Sequence, residues 1–95
     1  MKLNIGIILG GPSPEHDISI LTGLQAGRVL EEKHNVSIIF WSKENNWYLN
    51  KTSLEAEDFL DFKKVSKKPL NVVLNDDPGF YIKKKKINYD VVVNC

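Results

Sequence analysis

Ninety-five residues make one small domain, able to bury about two-thirds of the surface its unfolded chain exposes, and leave no room for a second. Thirteen basic residues against twelve acidic ones, a net charge of +1, create no global field for nucleic acid or an anionic membrane, so neither is expected as a partner. The single cysteine, Cys95, excludes an intrachain disulfide and a cysteine metal cluster, and points to a cytoplasmic protein.

Leu3 to Leu9 is apolar and uncharged, too short for a secretory core or a membrane span, and reads as a central strand covered on both faces. A helix is expected from Pro14 to about Lys33, with Ser13 as N-cap, Pro14 at the first helical position, and Glu15 and Asp17 complementing the helix dipole. Ile20, Gly23, Leu24, Gly27 and Leu30 share one face of it. Interior glycines each cost about 1 kcal/mol relative to alanine, so two on the buried face imply a close approach of helix and sheet backbones. Val36 to Ser42 reads as a second buried strand, completing a βαβ unit.

Lys43 to Asn46 is a turn, and Trp47 to Leu49 a short strand expected at an edge. Thr52 and Glu55 have capping-box spacing ahead of a short amphipathic helix with Ala56, Phe59 and Leu60. Asn71 to Leu74 and Phe80 to Ile82 flank Asn75-Asp76-Asp77-Pro78-Gly79 as a peripheral hairpin, followed by a solvated run from Lys83 to Lys86. Tyr89 to Cys95 is again apolar and reads as a buried parallel strand, inside which the chain stops; a piece of a longer polypeptide is therefore expected. The sum is an α/β domain, Rossmann-like, with a parallel sheet and flanking helices.

The chemistry is concentrated where the first strand meets the helix. A strand end followed at once by a helix start places free N–H groups at the carboxyl edge of a sheet, and Glu15 stands in that first turn. Glu15 either holds a ligand or only complements the dipole; Gly11 either lets a ligand approach or is a loop glycine; Ile18 either lines a pocket or packs in the core. Gly10-Gly11 is not a dinucleotide fingerprint and no Walker lysine follows. His16 and His34 have no third ligand in view, so a metal site built by this chain is not expected, and His16 reads as fixing the loop.

Gly10, Gly11, Ser13, Glu15, His16, Ile18, Ser19 and Gly23 match the pattern GG-x-S-x-E-H-x-(V/I)-S-xxx-G, and the segment closely resembles the N-terminal domain of D-alanine-D-alanine ligases of the ATP-grasp superfamily. Tyr89 to Cys95 adds weaker support, resembling the strand that leads to the family's His-Gly loop. The resemblance implies a pre-ATP-grasp domain over residues 1–95 and a three-domain enzyme. In that family ATP phosphorylates the first D-alanine and the amine of the second attacks the acyl phosphate, with Mg2+ offsetting phosphate charge, for peptidoglycan synthesis. It also implies a homodimer, and that Glu15 helps bind the ammonium of the first D-alanine, with Gly11 and Ile18 beside it. The family's ATP-binding lysines, magnesium ligands and catalytic arginine have no counterpart here, so the remaining ATP-grasp domains are implied partners and this chain alone is expected to be inactive. Pro12, Pro14 and Asp17 are its departures within the motif. Two rival readings stand beside this one: a free-standing flavodoxin-like or Rossmann-like ligand-binding module, and a dimerisation domain with no ligand site.

Overall fold

The computed structural model describes residues 1–95, with β1 (Asn4–Gly10), α1 (His16–Leu30), β2 (Asn35–Trp41), β3 (Trp47–Asn50), a 3-10 turn (Ala56–Leu60), α2 (Phe62–Val65), β4 (Pro69–Val73), β5 (Gly79–Ile82), β6 (Lys85–Lys86) and β7 (Val91–Asn94). The strands form one curled sheet in the order β6-β5-β4-β3-β2-β1-β7. β1 is parallel to both neighbours, with Ile7 opposite Ile38 on one side and Val93 on the other. These three strands and α1 are the α/β unit that the uncharged runs predict. The outer pairs are antiparallel, and the peripheral hairpin β4–β5 closes with Val73 opposite Gly79.

The two-residue period of a strand sorts β1 and β2 into two faces. Ile5, Ile7 and Leu9 meet Ile38 and Phe40 on one face, against Ile20 and Leu24 of α1 and Phe59 and Val65 of the short helical segments. Each such side chain contributes about 1.5–3 kcal/mol when fully buried. All flanking helices therefore lie on one side. The opposite face is covered by aromatic side chains: the ring of Tyr89 lies on Gly6, its phenol shares a 2.8 Å hydrogen bond with Ser37, and Phe80 bridges Trp47 and Tyr89 at centroid distances of 5.6 and 6.4 Å. Gly6 is the flat spot that admits Tyr89.

The structure corrects several boundaries. α1 begins at His16 with Glu15 as its N-cap, because the Ser13 hydroxyl turns to accept from the Glu15 amide and makes a turn before the helix instead of capping it. It ends at Leu30 rather than Lys33: Lys33 and His34 amides both fold back to the Leu30 carbonyl, which lets Asn35 reach Leu3 and begin β2. β3 is an interior strand, not an edge, since it pairs with β2 and with β4. The capping box is Glu55 with Asp58, and the Thr52 hydroxyl donates instead to the Glu31 carboxylate. β7 is the outermost strand on its side, with Val91 and Val92 half-exposed rather than buried.

Two glycines on α1 behave differently. A Cβ at Gly23 would stand 2.8 Å from Leu9 Cβ, inside contact distance of a rigid part of β1, whereas at Gly27 it would meet side-chain tips of Ile38, Ile7 and Thr52 at 3.3–3.4 Å. Gly23→Ala is expected to lose about 1–3 kcal/mol to overpacking. Gly27→Ala should stay within about 1 kcal/mol of the native chain, because better helix propensity offsets a small adjustment of flexible tips; urea unfolding of the two variants checks the contrast. Burial pushes the Tyr89 phenol above its ordinary value of 10.0, with the Ser37 hydrogen bond acting the other way. The unfolded chain then releases that proton first, so stability present below about pH 10 is lost as pH rises beyond it. Urea midpoints should fall less steeply above that pH in Tyr89→Phe than in the native chain.

Candidate functional site

At the carboxyl end of β1 the chain crosses directly over the end of β2. Gly10 and Gly11 have φ of 93° and 97°, and a Cβ on Gly10 would lie 2.5 Å from the Trp41 carbonyl oxygen. Only glycine combines that backbone conformation with that closeness. The Gly11 amide donates to the Trp41 carbonyl at 2.6 Å, and the Gly10 amide donates to the Ser19 hydroxyl at 3.0 Å. His16 completes the clasp: its Nδ1–H donates to the Gly11 carbonyl at 2.6 Å, and its buried ring sits edge-on to Phe40. A loop of Gly, Pro and Ser is thereby tied to β2, to α1 and to the core.

The loop delivers Glu15 to the head of α1. Its carbonyl accepts the first helical hydrogen bond, from Ser19 at 2.9 Å, while its exposed carboxylate makes no hydrogen bond or ion pair within the chain. The amides of Asp17 and Ile18 also lack acceptors inside the chain. The arrangement offers an unpaired carboxylate on a fixed backbone, which suits a ligand's ammonium group, beside free N–H groups at the edge of a sheet, which suit an acceptor oxygen. On the far side of β1, the Cys95 amide donates to the Ile8 carbonyl, and burial pushes its thiol up, away from the nucleophilic thiolate.

Of the residues singled out by sequence, the structure brings Gly11 and Glu15 to one loop. Both backbone polar groups of Gly11 are engaged, so it shapes the turn. Ile18 follows one turn later and is 64% exposed, which removes core packing within this chain as its role. An open hollow of ≈ 530 Å³ adjoins the loop, floored by Phe40 and Phe59 and bordered by His16, Asp17, Leu21 and Phe62; Glu15, Ile18 and Gly11 do not line it. Its far wall was not singled out by sequence reading, although Leu60 and Phe62, both exposed in a short amphipathic segment, were the available signal. No group of three or more His, Cys, Asp or Glu side chains is placed to hold a metal ion, and no helix is long and apolar enough to cross a membrane.

A three-strand parallel core with a strand-loop-helix clasp at its carboxyl edge defines an α/β domain of Rossmann-like type. The sequence model of one family, D-ala D-ala ligase N-terminus, matches residues 4–95, and the chain belongs to that family. Among curated relatives, the D-alanine--D-alanine ligase of Thermosipho melanesiensis is 37% identical over 86 residues, covering 90% of this chain and 22% of that protein. The solved D-alanine-D-alanine ligase of Helicobacter pylori superposes with a TM-score of 0.72 at 26% identity, over 95% of this chain and 28% of its own. The VanG D-Ala:D-Ser ligase of Enterococcus faecalis gives 0.67 at 25% identity, over 99% and 29%. The chain thus spans between a fifth and a third of the length of these three relatives.

Ser19→Ala would leave the part-buried Gly10 amide without its acceptor, at a cost of about 1–3 kcal/mol. His16→Ala should cost more, losing both the hydrogen bond to Gly11 and the ring packed on Phe40. Amide hydrogen exchange at Gly10 and Gly11 should accelerate in both variants while β4 and β5 exchange as in the native chain.

Proposed function

We propose that residues 1–95 are the N-terminal, substrate-side domain of a D-alanine-D-alanine ligase, in which Glu15 holds the ammonium group of the first D-alanine. The observation that carries this reading is the unpaired Glu15 carboxylate on a loop fixed by three hydrogen bonds, in a chain of this family. A carboxylate on a fixed backbone can form a charge-assisted hydrogen bond to an ammonium ion, and only its side-chain torsions have to be ordered when it does so. Ile18, exposed one turn along, presents an apolar side chain to the methyl group of D-alanine. Gly11, with no side chain, leaves the approach open.

ATP with Mg2+ supplies the phosphoryl group that activates the first D-alanine as an acyl phosphate, which the second amine then attacks. This chain gathers no set of carboxylates for a metal ion, and no step through magnesium is assigned to it. The ligands for both belong, on this reading, to ATP-grasp domains in the remainder of the polypeptide, and the domain alone binds without turnover. The product is the dipeptide of peptidoglycan synthesis, made by a cytoplasmic homodimer. Family membership favours this reading over a free-standing binding module or a pure dimerisation domain. Because a D-Ala:D-Ser ligase has the same domain, the domain is assigned the first substrate rather than the choice of acceptor.

In the full-length enzyme, Glu15→Gln should lower kcat/KM for the first D-alanine by about ten- to a hundredfold, the range expected for one hydrogen bond to a charged group. The melting temperature should change little, since Glu15 is bonded to nothing in the fold through its side chain and its charge on the helix dipole is worth about 0.3–1 kcal/mol. Native kinetics at subsaturating D-alanine in that variant would remove Glu15 from the site.

A further inference from the structure

We infer that a second hollow, at the opposite end of β2 from the Gly10–Glu15 loop, is a binding site for a compact polyphosphate group. It is an open concavity of ≈ 680 Å³ between the start of β2, the segment after β3 and the segment from α2 to β4. Lys51, Lys64, Lys67 and Lys68 line it together with the hydroxyl-bearing Thr52 and Ser53, and no acidic residue lines it. On a chain whose net charge is +1, four lysines lining one hollow are a local concentration of positive charge that the composition conceals.

Countercharge from the fold is small. Lys64 is 3.2 Å from Asp58, and Glu31, which does not line the hollow, accepts from the Thr52 hydroxyl and keeps its charge behind that wall, while Lys51, Lys67 and Lys68 have no carboxylate partner within 4 Å. The walls are tied to each other: the Leu49 amide donates to the Lys68 carbonyl at 2.8 Å and the Asn50 side-chain amide to the Val65 carbonyl at 2.9 Å. The backbones that carry the lysines are therefore held in place before any ligand arrives. The run from Lys83 to Lys86 makes an instructive contrast. It sits on a turn and an outermost strand, and Lys86 is already paired with Asp77 at 2.6 Å.

Three unpaired lysines match a group with several negative charges in a short span, which describes a di- or triphosphate better than a carboxylate or a single sulfate. No aromatic side chain lines the hollow, so there is no platform for a base, and the phosphate chain itself is what is recognised. The site accordingly takes free polyphosphate and the phosphates of a nucleotide alike.

Lysine acylation followed by mass spectrometry, on the full-length polypeptide that carries this domain, reads each lysine separately and is insensitive to anion sites elsewhere. The probe is inorganic tripolyphosphate at constant ionic strength. At a concentration about ten times its dissociation constant, Lys51, Lys67 and Lys68 should be modified about tenfold more slowly, with Lys83, Lys84 and Lys85 unaffected. In a Lys67→Gln, Lys68→Gln variant, both exposed positions, Lys51 should lose that protection. Equal protection by ATP would show that the phosphate chain is read on either carrier. The inference is overturned if tripolyphosphate protects none of the three, if it slows Lys83 to Lys85 equally, if sodium chloride at matched ionic strength protects as well, or if ATP protects and tripolyphosphate does not.

Discussion

The 2.6 Å hydrogen bond from the Gly11 amide to the Trp41 carbonyl is the contact on which the rest of this domain depends. It joins the ends of two parallel strands at the point where the chain leaves the sheet, and it requires a backbone that no side chain would permit. Once the crossing is made, the direction of α1 is set: the Ser19 hydroxyl takes the Gly10 amide, His16 takes the Gly11 carbonyl, and the helix lies down on Leu9 through Gly23. The motif residues of the first twenty-three positions thus act on one another before they act on anything else. Glu15 and Ile18 keep their side chains free of the fold.

That division explains what the sequence made legible. Uncharged runs at Leu3–Leu9 and Val36–Ser42 could only be strands covered on both sides, and the glycines of α1 announced a close helix-sheet approach. The resemblance carried by Gly10 to Gly23 identified the family that the comparisons then showed. The helix ends were misread because local rules ranked Ser13 and Pro14 as a cap and first turn. Tertiary bonds decided otherwise, the Ser13 hydroxyl serving a preceding turn and the Leu30 carbonyl closing the helix early so that Asn35 meets Leu3.

The misplacement of β3 has a different origin. Trp47 to Leu49 is short and sits between turns, which by itself describes an edge. What holds it inside the sheet is aromatic stacking, Trp41 on Trp47 at 4.6 Å, together with the Leu49 amide bonded to Lys68, nineteen residues away. Neither contact leaves a periodic trace in the sequence. The lysine-lined hollow was hidden for the same reason: its lysines come from two separated segments, and only the folded chain gathers them. Lys83 to Lys86, contiguous and conspicuous, is by comparison ordinary surface.

The parallel pairing of β1 with β7 has a temporal side. Ile5 waits for Val91, and the amide of Asn4 for the carboxylate of Asp90, 86 positions later. Contacts so far apart in sequence are slow to form because the intervening loop must close first. During synthesis β1 can pair with β2 as soon as α1 has emerged, yet its other edge stays unpaired until almost the whole domain has left the ribosome. Tyr89, which covers Gly6, arrives in the same late stretch. Until then the nascent chain carries a half-paired, uncharged strand, the sort of surface that chaperones bind. The strand that places the Gly10–Glu15 loop is thus among the first made and the last secured.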